Sequence, residues 1–436
     1  MNNQRLKVLI IAHEFAPTRG SECAVGWNIV TRLAKYHNVT VLYASGSQES
    51  PNSYVELINN YIASHGAIEG LNLVNIDQPH ITKFITTINR SFFSLGHIGL
   101  PLLYYSGYKF WQKSAFNNAI KLHRTENFDV VHQLTQISFR VPGYWWKLGI
   151  PFFWGPIGGL QSLPKQFYDL LSAKIRLMEI IRKFSNFYHY KFSKRVIESN
   201  KRAKVIYSFS NEDAALFAKR ASGTMKLMLD VGTSNNRDSK SNELKNSSIA
   251  TGIWCGHLIE RKAAIILLKA LSLSKVTKEE IKFQIIGSGP LESKLHEQSK
   301  MLGLSNVEWI GNVDHHTVFT LMNNADFFVH TSLREATSSV IPEALSMGLP
   351  VICHDSSGMS IAINDSCGIK IPLSTPETSI KGFHNAIEKL VLDKQLNTQL
   401  KTGARKRSLE LSWDIMAETI ANDYTEVVNN GIEKMQ

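Results

Sequence analysis

Short apolar runs recur along this chain and alternate with longer segments of helical periodicity, and Gly or Pro residues bound most of them. In the first half the runs cover residues 7–13, 38–44, 71–76, 129–134, 151–156 and 204–210. In the second half they cover 251–256, 282–287, 307–311, 326–331 and 350–355. Runs of this kind are typical of strands buried on both faces of a parallel sheet. The sequence therefore predicts an α/β fold built from doubly wound parallel sheets.

Length and one polar stretch indicate two domains. The chain has 436 residues, which is more than one hydrophobic core usually serves. The segment 230–248 reads DVGTSNNRDSKSNELKNSS and has the composition of a linker. We predict a first Rossmann-like domain over 1–230, a linker over 231–248 and a second Rossmann-like domain over 249–411, facing each other across a cleft. The helical segment 412–436 either caps the second domain or crosses back to the first.

The net charge limits the classes of binding partner, and the cysteine content indicates the cellular compartment. The net charge of +11 indicates an acidic partner, for which phosphorylated sugars, anionic lipid and nucleic acid are all candidates. The sequence carries no nucleic-acid recognition motif. Four scattered cysteines show neither metal-type nor disulfide-type spacing. An N-terminal apolar run that stops at His13 and Glu14 is a core strand rather than a secretory signal, so we expect a cytoplasmic protein.

The most informative local motif places two carboxylates, Glu335 and Glu343, on either side of a predicted helix start. A serine between them can cap that helix, and the backbone N–H groups before it can then point at an anion. The residues that would supply this anion site are Ala336, Thr337, Ser338 and Ser339. An anion site flanked by two hydroxyl-binding carboxylates suits a nucleotide-sugar, in which a pyrophosphate joins two polyhydroxylated groups.

This stretch resembles the acidic motif of the family-four (group 1) retaining glycosyltransferases of the GT-B fold, in which two glutamates are separated by seven residues. The resemblance covers most of the chain and is strongest over 251–355. It implies that Glu335 faces the donor hexose and Glu343 the nucleotide ribose. It also implies a retaining mechanism, a nucleotide-diphospho-sugar co-substrate, no essential metal or other cofactor, and a terminal helix that crosses back to the first domain.

The second domain opens with a strand, a glycine turn and a group of cations that can neutralise a diphosphate. In the resembling family this loop carries an arginine after the glycine and a lysine five positions later. Lys262 matches the lysine, whereas His257 stands in place of the arginine and Ala263 in place of a usual glycine. A neutral imidazole lacks the fixed charge and the fork of a guanidinium. Arg261 is a candidate to compensate for it.

Further loops match the family at single positions. In the resembling family, a glycine-rich turn after one strand approaches the donor nucleotide, and the backbone after another strand holds the base. This chain has a matching loop after each of the corresponding strands. In the first domain, one glycine loop precedes a helix and offers an anion site, and a second forms the acceptor-side floor. The donor-side residues are Gly287, Gly289 and Val313, and the acceptor-side residues are Gly20, Ser21, Gly158 and Gly159.

His132 ends a first-domain strand at the expected edge of the cleft. The resembling enzymes often have a His or Asp of the first domain near the reacting carbon, and His132 is the nearest match. Some relatives use a position two residues later, which is Leu134 here. A lone histidine after an apolar strand is more often structural, so both interpretations stay open.

Two segments have the composition of a membrane-binding surface. Residues 165–204 contain eleven Lys or Arg against three acids, interleaved with apolar and aromatic side chains. This pattern favours a helix on anionic lipid. Residues 92–111 are strongly apolar and aromatic, but a Gly-Pro break argues against a spanning helix. They form either a buried helical hairpin or a segment that dips into the membrane interface.

We therefore predict a retaining glycosyltransferase that moves a hexose-type sugar to an acceptor hydroxyl, on a lipid-linked or surface polysaccharide intermediate. The expected catalytic residues are Glu335, Lys262 and His132, in a cytoplasmic protein that binds the inner face of the membrane peripherally. Two alternatives stay open. A sugar-nucleotide epimerase on the same plan would need an acid/base pair that the sequence does not reveal. The substitution at His257 is also compatible with a donor-binding but inactive subunit of a polysaccharide complex.

Overall fold

The computed structural model describes residues 5–20, 22–46, 53–91, 100–234 and 249–433. The predicted linker, apart from residues 231–234, and Ser21 lie outside the described residues, as do residues 92–99 of the aromatic segment. The described chain forms two parallel sheets flanked by helices. The predicted α/β class with two doubly wound sheets is confirmed.

The first sheet has seven parallel strands in the order β3-β2-β1-β4-β5-β6-β7. Its strands are β1 (Lys7–Ile11), β2 (Asn38–Ala44), β3 (Leu71–Ile76), β4 (Val130–Gln133), β5 (Phe152–Ile157), β6 (Val205–Ser208) and β7 (Thr224–Leu227). Its helices are α1 (Glu22–Leu33), α2 (Tyr54–His65), α3 (His80–Arg90), α4 (Pro101–Glu126), α5 (Ala173–Phe192), α6 (Lys194–Arg202) and α7 (Asn211–Ala218). Apolar clusters cover both faces of the sheet, which explains its nearly continuous apolar strands.

The second sheet has six parallel strands in the order β10-β9-β8-β11-β12-β13. Its strands are β8 (Ala250–Cys255), β9 (Ile281–Ile286), β10 (Val307–Gly311), β11 (Phe327–His330), β12 (Val351–His354) and β13 (Gly368–Ile371). Its helices are α8 (Ala264–Leu271), α9 (Lys275–Glu279), α10 (Glu292–Met301), α11 (His315–Asn323), α12 (Val340–Ser346), α13 (Ser357–Ala362), α14 (Pro376–Leu392) and α15 (Lys394–Glu410). Two further apolar clusters enclose this sheet.

Two strands were not predicted from the sequence, and both lie at an outer edge of a sheet. Strand β7 pairs with β6; its two end residues are exposed and its two central residues, one of them Lys226, are half-buried. Strand β13 has four residues, pairs with β12 and includes Lys370. An edge strand needs less burial than a central one, so its apolar signal in the sequence is weak.

The strand order fixes where a ligand can bind. In each sheet the order reverses beside the first strand, between β1 and β4 in one sheet and between β8 and β11 in the other. Ligands of such sheets bind in the crevice outside the carboxyl ends of the strands at this reversal. The segments that follow β1, β4, β8 and β11 therefore define the expected site.

The last helix, α16 (Trp413–Glu433), packs on α1 of the first domain. Arg32 donates from Nε to Asp414 at 3.1 Å, and the Tyr207 hydroxyl donates to Asp423 at 2.7 Å. Lys226 lies 2.6 Å from the same Asp423 carboxylate. The helix that follows the second domain thus completes the core of the first.

The four cysteines are free, and Cys353 is fully buried within β12. None of the helices in the described part of the chain is both long and apolar enough to cross a membrane. In the described part of the aromatic segment 92–111, Tyr108 and Trp111 of α4 are buried.

Candidate functional site

The loops after β8 and β11 bring the predicted acidic and cationic residues together. Arg261 and Lys262 follow β8 in a short 3-10 turn, and Glu335 follows β11. These strands are neighbours in the sheet although about seventy residues separate them in sequence. Glu335 Oε1 lies 2.5 Å from Arg261 Nη1 and 2.5 Å from Lys262 Nζ. The two halves of the predicted donor site therefore form one ion-paired cluster.

The charges in this cluster fix the ionisation state of Glu335. Burial alone raises the pKa of Glu335, but the charges of Lys262 and Arg261 outweigh it and hold that pKa at about 2. Ser332 Oγ also donates to the carboxylate at 2.8 Å. Burial lowers the pKa of Lys262, and the attraction of Glu335 opposes this shift. Glu335 is a fixed anion, held between two cations, at neutral pH.

The segment between Glu335 and Glu343 begins beside the ion pairs of Glu335 with Arg261 and Lys262. Lys262 Nζ donates to Ser338 Oγ at 3.3 Å, and Thr337 and Ser338 are both buried. Ser339 occupies the N-cap position of α12, but its side chain accepts no capping hydrogen bond, contrary to our expectation. Its backbone is already helical, so its hydroxyl does not face the N–H groups of the first turn.

The second glutamate has a partner that was not predicted from the sequence. Glu343 Oε1 lies 3.2 Å from His315 Nε2, at the start of α11. Val313 lies two residues earlier, in the loop after β10. This places the predicted ribose-binding carboxylate beside the predicted base-binding loop.

Gly287 allows the loops of three adjacent strands to approach each other closely. Its φ is +124°, and a Cβ atom there would lie 1.9 Å from the Gly256 carbonyl oxygen. Its own N–H donates to the Gly311 carbonyl at 2.8 Å. Gly289 is similarly close to the backbone of Leu258. Exposed His257 stands in the first of these loops, and the loops after β8, β9 and β10 lie against each other at the carboxyl edge of the second sheet.

A cavity of about 330 Å³ extends from Glu335 toward the first domain. Residues of both domains line it: Glu22, Tyr104, Tyr105, Gln136, Ile137, Ser138, Arg140, Gly158, Gly159, Gln161, Arg182, Phe209, Arg261, Arg334, Glu335 and Ala336. The structure thus brings the predicted acceptor-side glycines of the first domain to the same space as Glu335. Gly20 is exposed and lies two residues before Glu22, whereas nothing is described for Ser21.

Glu22 is a cavity residue that was not predicted from the sequence. It begins α1, and the backbone N–H of Gln136 donates to its Oε2 at 3.2 Å. Burial, together with the nearby carboxylates of Glu14 and Asp230, raises the pKa of Glu22 to about 8. It is therefore mostly a neutral acid at pH 7, and it lines the same cavity as anionic Glu335. The one feature of the sequence that could have identified Glu22 is its position at a helix start, directly after a glycine loop.

The structure places His132 away from the cavity, and this corrects the expected position at the edge of the cleft. His132 is fully buried in the core of the first domain. Its Nδ1 lies 2.5 Å from the Tyr424 hydroxyl of α16, and its Nε2 lies 2.7 Å from the Gly155 carbonyl oxygen. Burial lowers its pKa to about 4. Successive side chains of a strand point to opposite faces, and His132 points to the face that α16 covers. Catalysis is therefore not proposed for it.

We expect His132→Ala to destabilise the protein without impairing the chemistry of the folded molecules. The substitution leaves a cavity and removes hydrogen-bond partners, for a loss of about 3 kcal/mol in the free energy of unfolding. Urea unfolding and steady-state transfer, corrected for the folded fraction, measure the two effects. Exposed His65 provides a control, since His65→Ala should change neither. A large fall in turnover at unchanged stability would contradict the structural role.

Comparison with known proteins finds sequence similarity in the second half of the chain. The family model of glycosyl transferases group 1 matches residues 236–407. TuaC of Bacillus subtilis, whose name assigns it to teichuronic acid biosynthesis, is 27% identical over 152 residues, which are 33% of this chain and 36% of that protein. The chain thus spans about a third of the length of this relative.

Solved structures extend the similarity to the whole chain at the level of fold. Sucrose-phosphate synthase from Thermosynechococcus elongatus superimposes with a TM-score of 0.60 at 14% identity, covering 98% of this chain and 100% of that one. HepE from Anabaena, solved in complex with UDP, gives a TM-score of 0.57 at 16% identity and covers 97% of this chain and 100% of its own. The C-terminal part of the chain thus matches the glycosyl transferases group 1 over residues 236–407, and the whole chain shares the two-sheet fold of these solved enzymes.

Proposed function

We propose that this protein is a retaining glycosyltransferase that moves a hexose-type sugar from a nucleotide-diphospho-sugar to an acceptor hydroxyl. The observation that carries the proposal is the Glu335 carboxylate, which is fixed between Arg261 and Lys262 and lines the cavity between the domains. Arg261 and Lys262 form a cation pair that suits a diphosphate. The Glu335 carboxylate between them can accept hydrogen bonds from sugar hydroxyl groups.

In the proposed complex the donor diphosphate lies against Lys262 and Arg261, and hydroxyl groups of the donor sugar donate to Glu335. As the bond to the sugar breaks, negative charge grows on the departing nucleoside diphosphate. Cations already in place stabilise that charge without reorganisation, and such preorganised stabilisation accounts for much of the rate acceleration of many enzymes. Glu343 and the loop at Val313 are proposed to hold the ribose and the base.

The acceptor enters from the first-domain side of the cavity, and its hydroxyl attacks from the face that the diphosphate leaves. The new bond between the acceptor oxygen and the sugar forms as the bond to the phosphate oxygen breaks, and the hydroxyl proton passes to the departing diphosphate. Glu22, a mostly neutral acid in the same cavity, is proposed to hydrogen-bond to a hydroxyl of the incoming acceptor. We propose no essential metal, since Lys262 and Arg261 supply the positive charge. A rate that depends on a divalent cation and is abolished by a chelator would contradict this part of the proposal.

A nucleotide-sugar screen tests the proposed function directly. The purified chain is incubated with UDP-, GDP-, ADP- and dTDP-linked hexoses, beginning with UDP-sugars because HepE was solved with UDP. A ligand present at a hundred times its Kd stabilises the folded state by about 2.7 kcal/mol, which raises the Tm measurably. NMR spectroscopy of the product then shows whether the anomeric configuration is retained. Binding without turnover would favour the inactive-subunit alternative, and a changed sugar without transfer would favour an epimerase.

We further propose that the first domain binds an anionic membrane surface through α5. Its outward face carries large apolar side chains that are more than half exposed, with Phe184 at 71%. The others on this face are Leu177, Ile181, Phe187, Tyr188 and Phe192. Lys174, Lys183 and Lys191 are exposed on the same helix, and its single acid, Glu179, is turned inward into ion pairs. Exposed apolar residues with a basic border match an anionic lipid surface.

Replacing Phe184 with aspartate is expected to weaken vesicle binding roughly tenfold, since it removes apolar contact and adds repulsion from anionic headgroups. Pelleting with phosphatidylcholine vesicles, with and without phosphatidylglycerol, measures the binding. Met301, which is 80% exposed on the second domain, provides a control, and Met301→Asp should bind like wild type. Binding that is indifferent to anionic lipid would contradict the membrane proposal.

A further inference from the structure

Helix α5 presents a polar face to the cavity on the side opposite its apolar face. Glu179, Arg182 and Asn186 are spaced by three and four residues and therefore share one side of the helix. Arg182 donates from Nη1 to the Gln161 carbonyl at 2.6 Å and from Nη2 to the Gly159 carbonyl at 2.7 Å. The helix thus holds a cation against the acceptor-side floor.

A second arginine reaches the same floor from the loop after β4. Arg140 Nη2 donates to the Gly159 carbonyl oxygen at 3.3 Å, and its Nη1 donates to Ser138 Oγ at 3.2 Å. Because Arg140 and Arg182 share one carbonyl acceptor, their guanidinium groups lie within the span of a single phosphate or diphosphate. Gly159 has a φ of +101°, which favours glycine, and a Cβ atom there would lie 3.9 Å from both guanidinium groups, so both arginines line the space beside this residue.

Neither of these two arginines makes an ion pair shorter than 4.0 Å within the described residues, although the carboxylate of Asp213 lies near enough to act on both. Glu179 forms an ion pair with Arg334, which contacts both of its carboxylate oxygens, at 3.0 Å and 2.8 Å. Arg182 lies 4.0 Å from that carboxylate, and Arg140 makes no ion pair within the described residues. Both arginines are held instead by neutral carbonyl, hydroxyl and amide groups. Glu335, the nearest cavity anion in the second domain, is occupied by Arg261 and Lys262.

The pKa values of both arginines reflect their burial. Burial lowers the pKa of Arg182 to about 9, the neighbouring charges of Arg334 and Arg140 lower it further, and the carboxylates of Glu179 and Asp213 oppose the shift. Burial also lowers the pKa of Arg140, against the opposing effects of Tyr105, Asp213 and Glu179. A bound anion would relieve both effects, since buried cations are stable only when they are paired.

We propose that Arg140 and Arg182 form a second anion site, distinct from the donor site, which binds a phosphate or diphosphate ester on the acceptor. This inference rests on the proposed function and adds the chemical class of the acceptor. Paired guanidinium groups match phosphate oxygens better than a single cation does. The acceptor hydroxyl then lies further along the cavity, toward Glu335. A lipid-linked diphosphate and a free sugar phosphate share this chemistry.

The test measures anion binding by thermal shift in wild type and three variants, with inorganic pyrophosphate as the probe. Arg182→Gln and Arg140→Gln remove the two cations of the new site, and Lys262→Met removes one of the donor site. Pyrophosphate should stabilise wild type and Lys262→Met with similar midpoints. Each arginine variant should require at least tenfold more pyrophosphate. Lys183→Gln, at the exposed position next to Arg182, is the matched control and should behave like wild type.

The outcomes separate the two proposals. Pyrophosphate binding that is lost in Lys262→Met but kept in both arginine variants would place the anion in the donor site only and overturn the inference. An absence of stabilisation in wild type would also overturn it. If no nucleotide-sugar binds but pyrophosphate binding still depends on Arg140 and Arg182, the second site stands and the proposed function fails.

Two controls address folding and the source of the anion. Should Arg182→Gln lose its cooperative unfolding transition, Arg182→Lys keeps a charge and Arg140→Gln tests the site independently. Farnesyl diphosphate and glucose 1-phosphate then replace pyrophosphate. Tighter binding of farnesyl diphosphate that is weakened by Phe184→Asp identifies a lipid-linked ester, and tighter binding of glucose 1-phosphate identifies a soluble one.

Discussion

Replacing Glu335 with glutamine is expected to reduce sugar transfer by at least a hundredfold, the typical loss when one preorganised electrostatic contact is removed. Glutamine keeps the shape of the side chain but removes the negative charge that pairs with Arg261 and Lys262, each at 2.5 Å. Lys262, which is largely buried, and Arg261, which is partly exposed, then lack their shared anion. We expect a loss of about 3 kcal/mol in the free energy of unfolding, since breaking a buried ion pair from one side is costly.

The pH dependence of stability gives an independent measure of the same contact. The folded pKa of Glu335 is about 2, below its ordinary value of 4.5. Its contribution is therefore complete above pH 4.5 and is lost as the pH falls toward 2. Urea unfolding between pH 6 and pH 3 should show wild type losing stability toward that of Glu335→Gln. Glu297→Gln, at an exposed position on α10, is the charge-matched control. Parallel curves for wild type and Glu335→Gln would refute the strong ion pairing.

Replacing Lys262 with methionine is expected to weaken binding of the nucleoside diphosphate about a hundredfold and to reduce transfer at least as much. The side chain is buried beside Glu335 and Ser338, at the point where the donor diphosphate is proposed to lie. A charge-assisted hydrogen bond to a phosphate in a partly dry site is worth about 2 to 3 kcal/mol. Methionine has a similar length, so the packing around it is largely kept.

Isothermal titration with the nucleoside diphosphate measures this loss, and single-turnover transfer separates binding from chemistry. Lys269 lies on α8 at an exposed position, so Lys269→Met removes an equal charge away from the site. Its affinity should equal that of wild type. Unchanged affinity in Lys262→Met, with normal transfer, would show that the donor diphosphate binds elsewhere.

Much of the donor half of the site follows from the sequence because its signals are local. Glu335, Glu343 and the intervening residues lie within one short motif, and the chain direction alone puts them on a loop and the helix after it. Gly287 sits in a turn whose positive φ favours glycine, whatever its neighbours. Such features depend on residues a few positions apart, and periodicity and turn chemistry describe them well.

The acceptor half could not be predicted in this way. Arg140, Arg182 and Arg334 come from three separate segments, and no local pattern distinguishes them from solvated arginines. Helix α5 looked like a basic amphipathic helix, and the sequence did not indicate that Arg182 faces inward while Lys183 faces solvent. Glu22 gave only its position at a helix start. Their shared cavity exists because both domains contribute walls to it.

His132 illustrates the limit most clearly. The sequence correctly placed it in a strand, but a strand has two faces, and only the packing of α16 decides which face is core. Short-range physics, namely apolar periodicity, turn glycines and the order of motifs, determined the parallel sheets and the acidic and cationic loops of the proposed donor site. The tertiary structure alone decided which distant cations meet across the cleft, and which histidine is buried, because burial and electrostatic pairing depend on contacts between residues far apart in the chain.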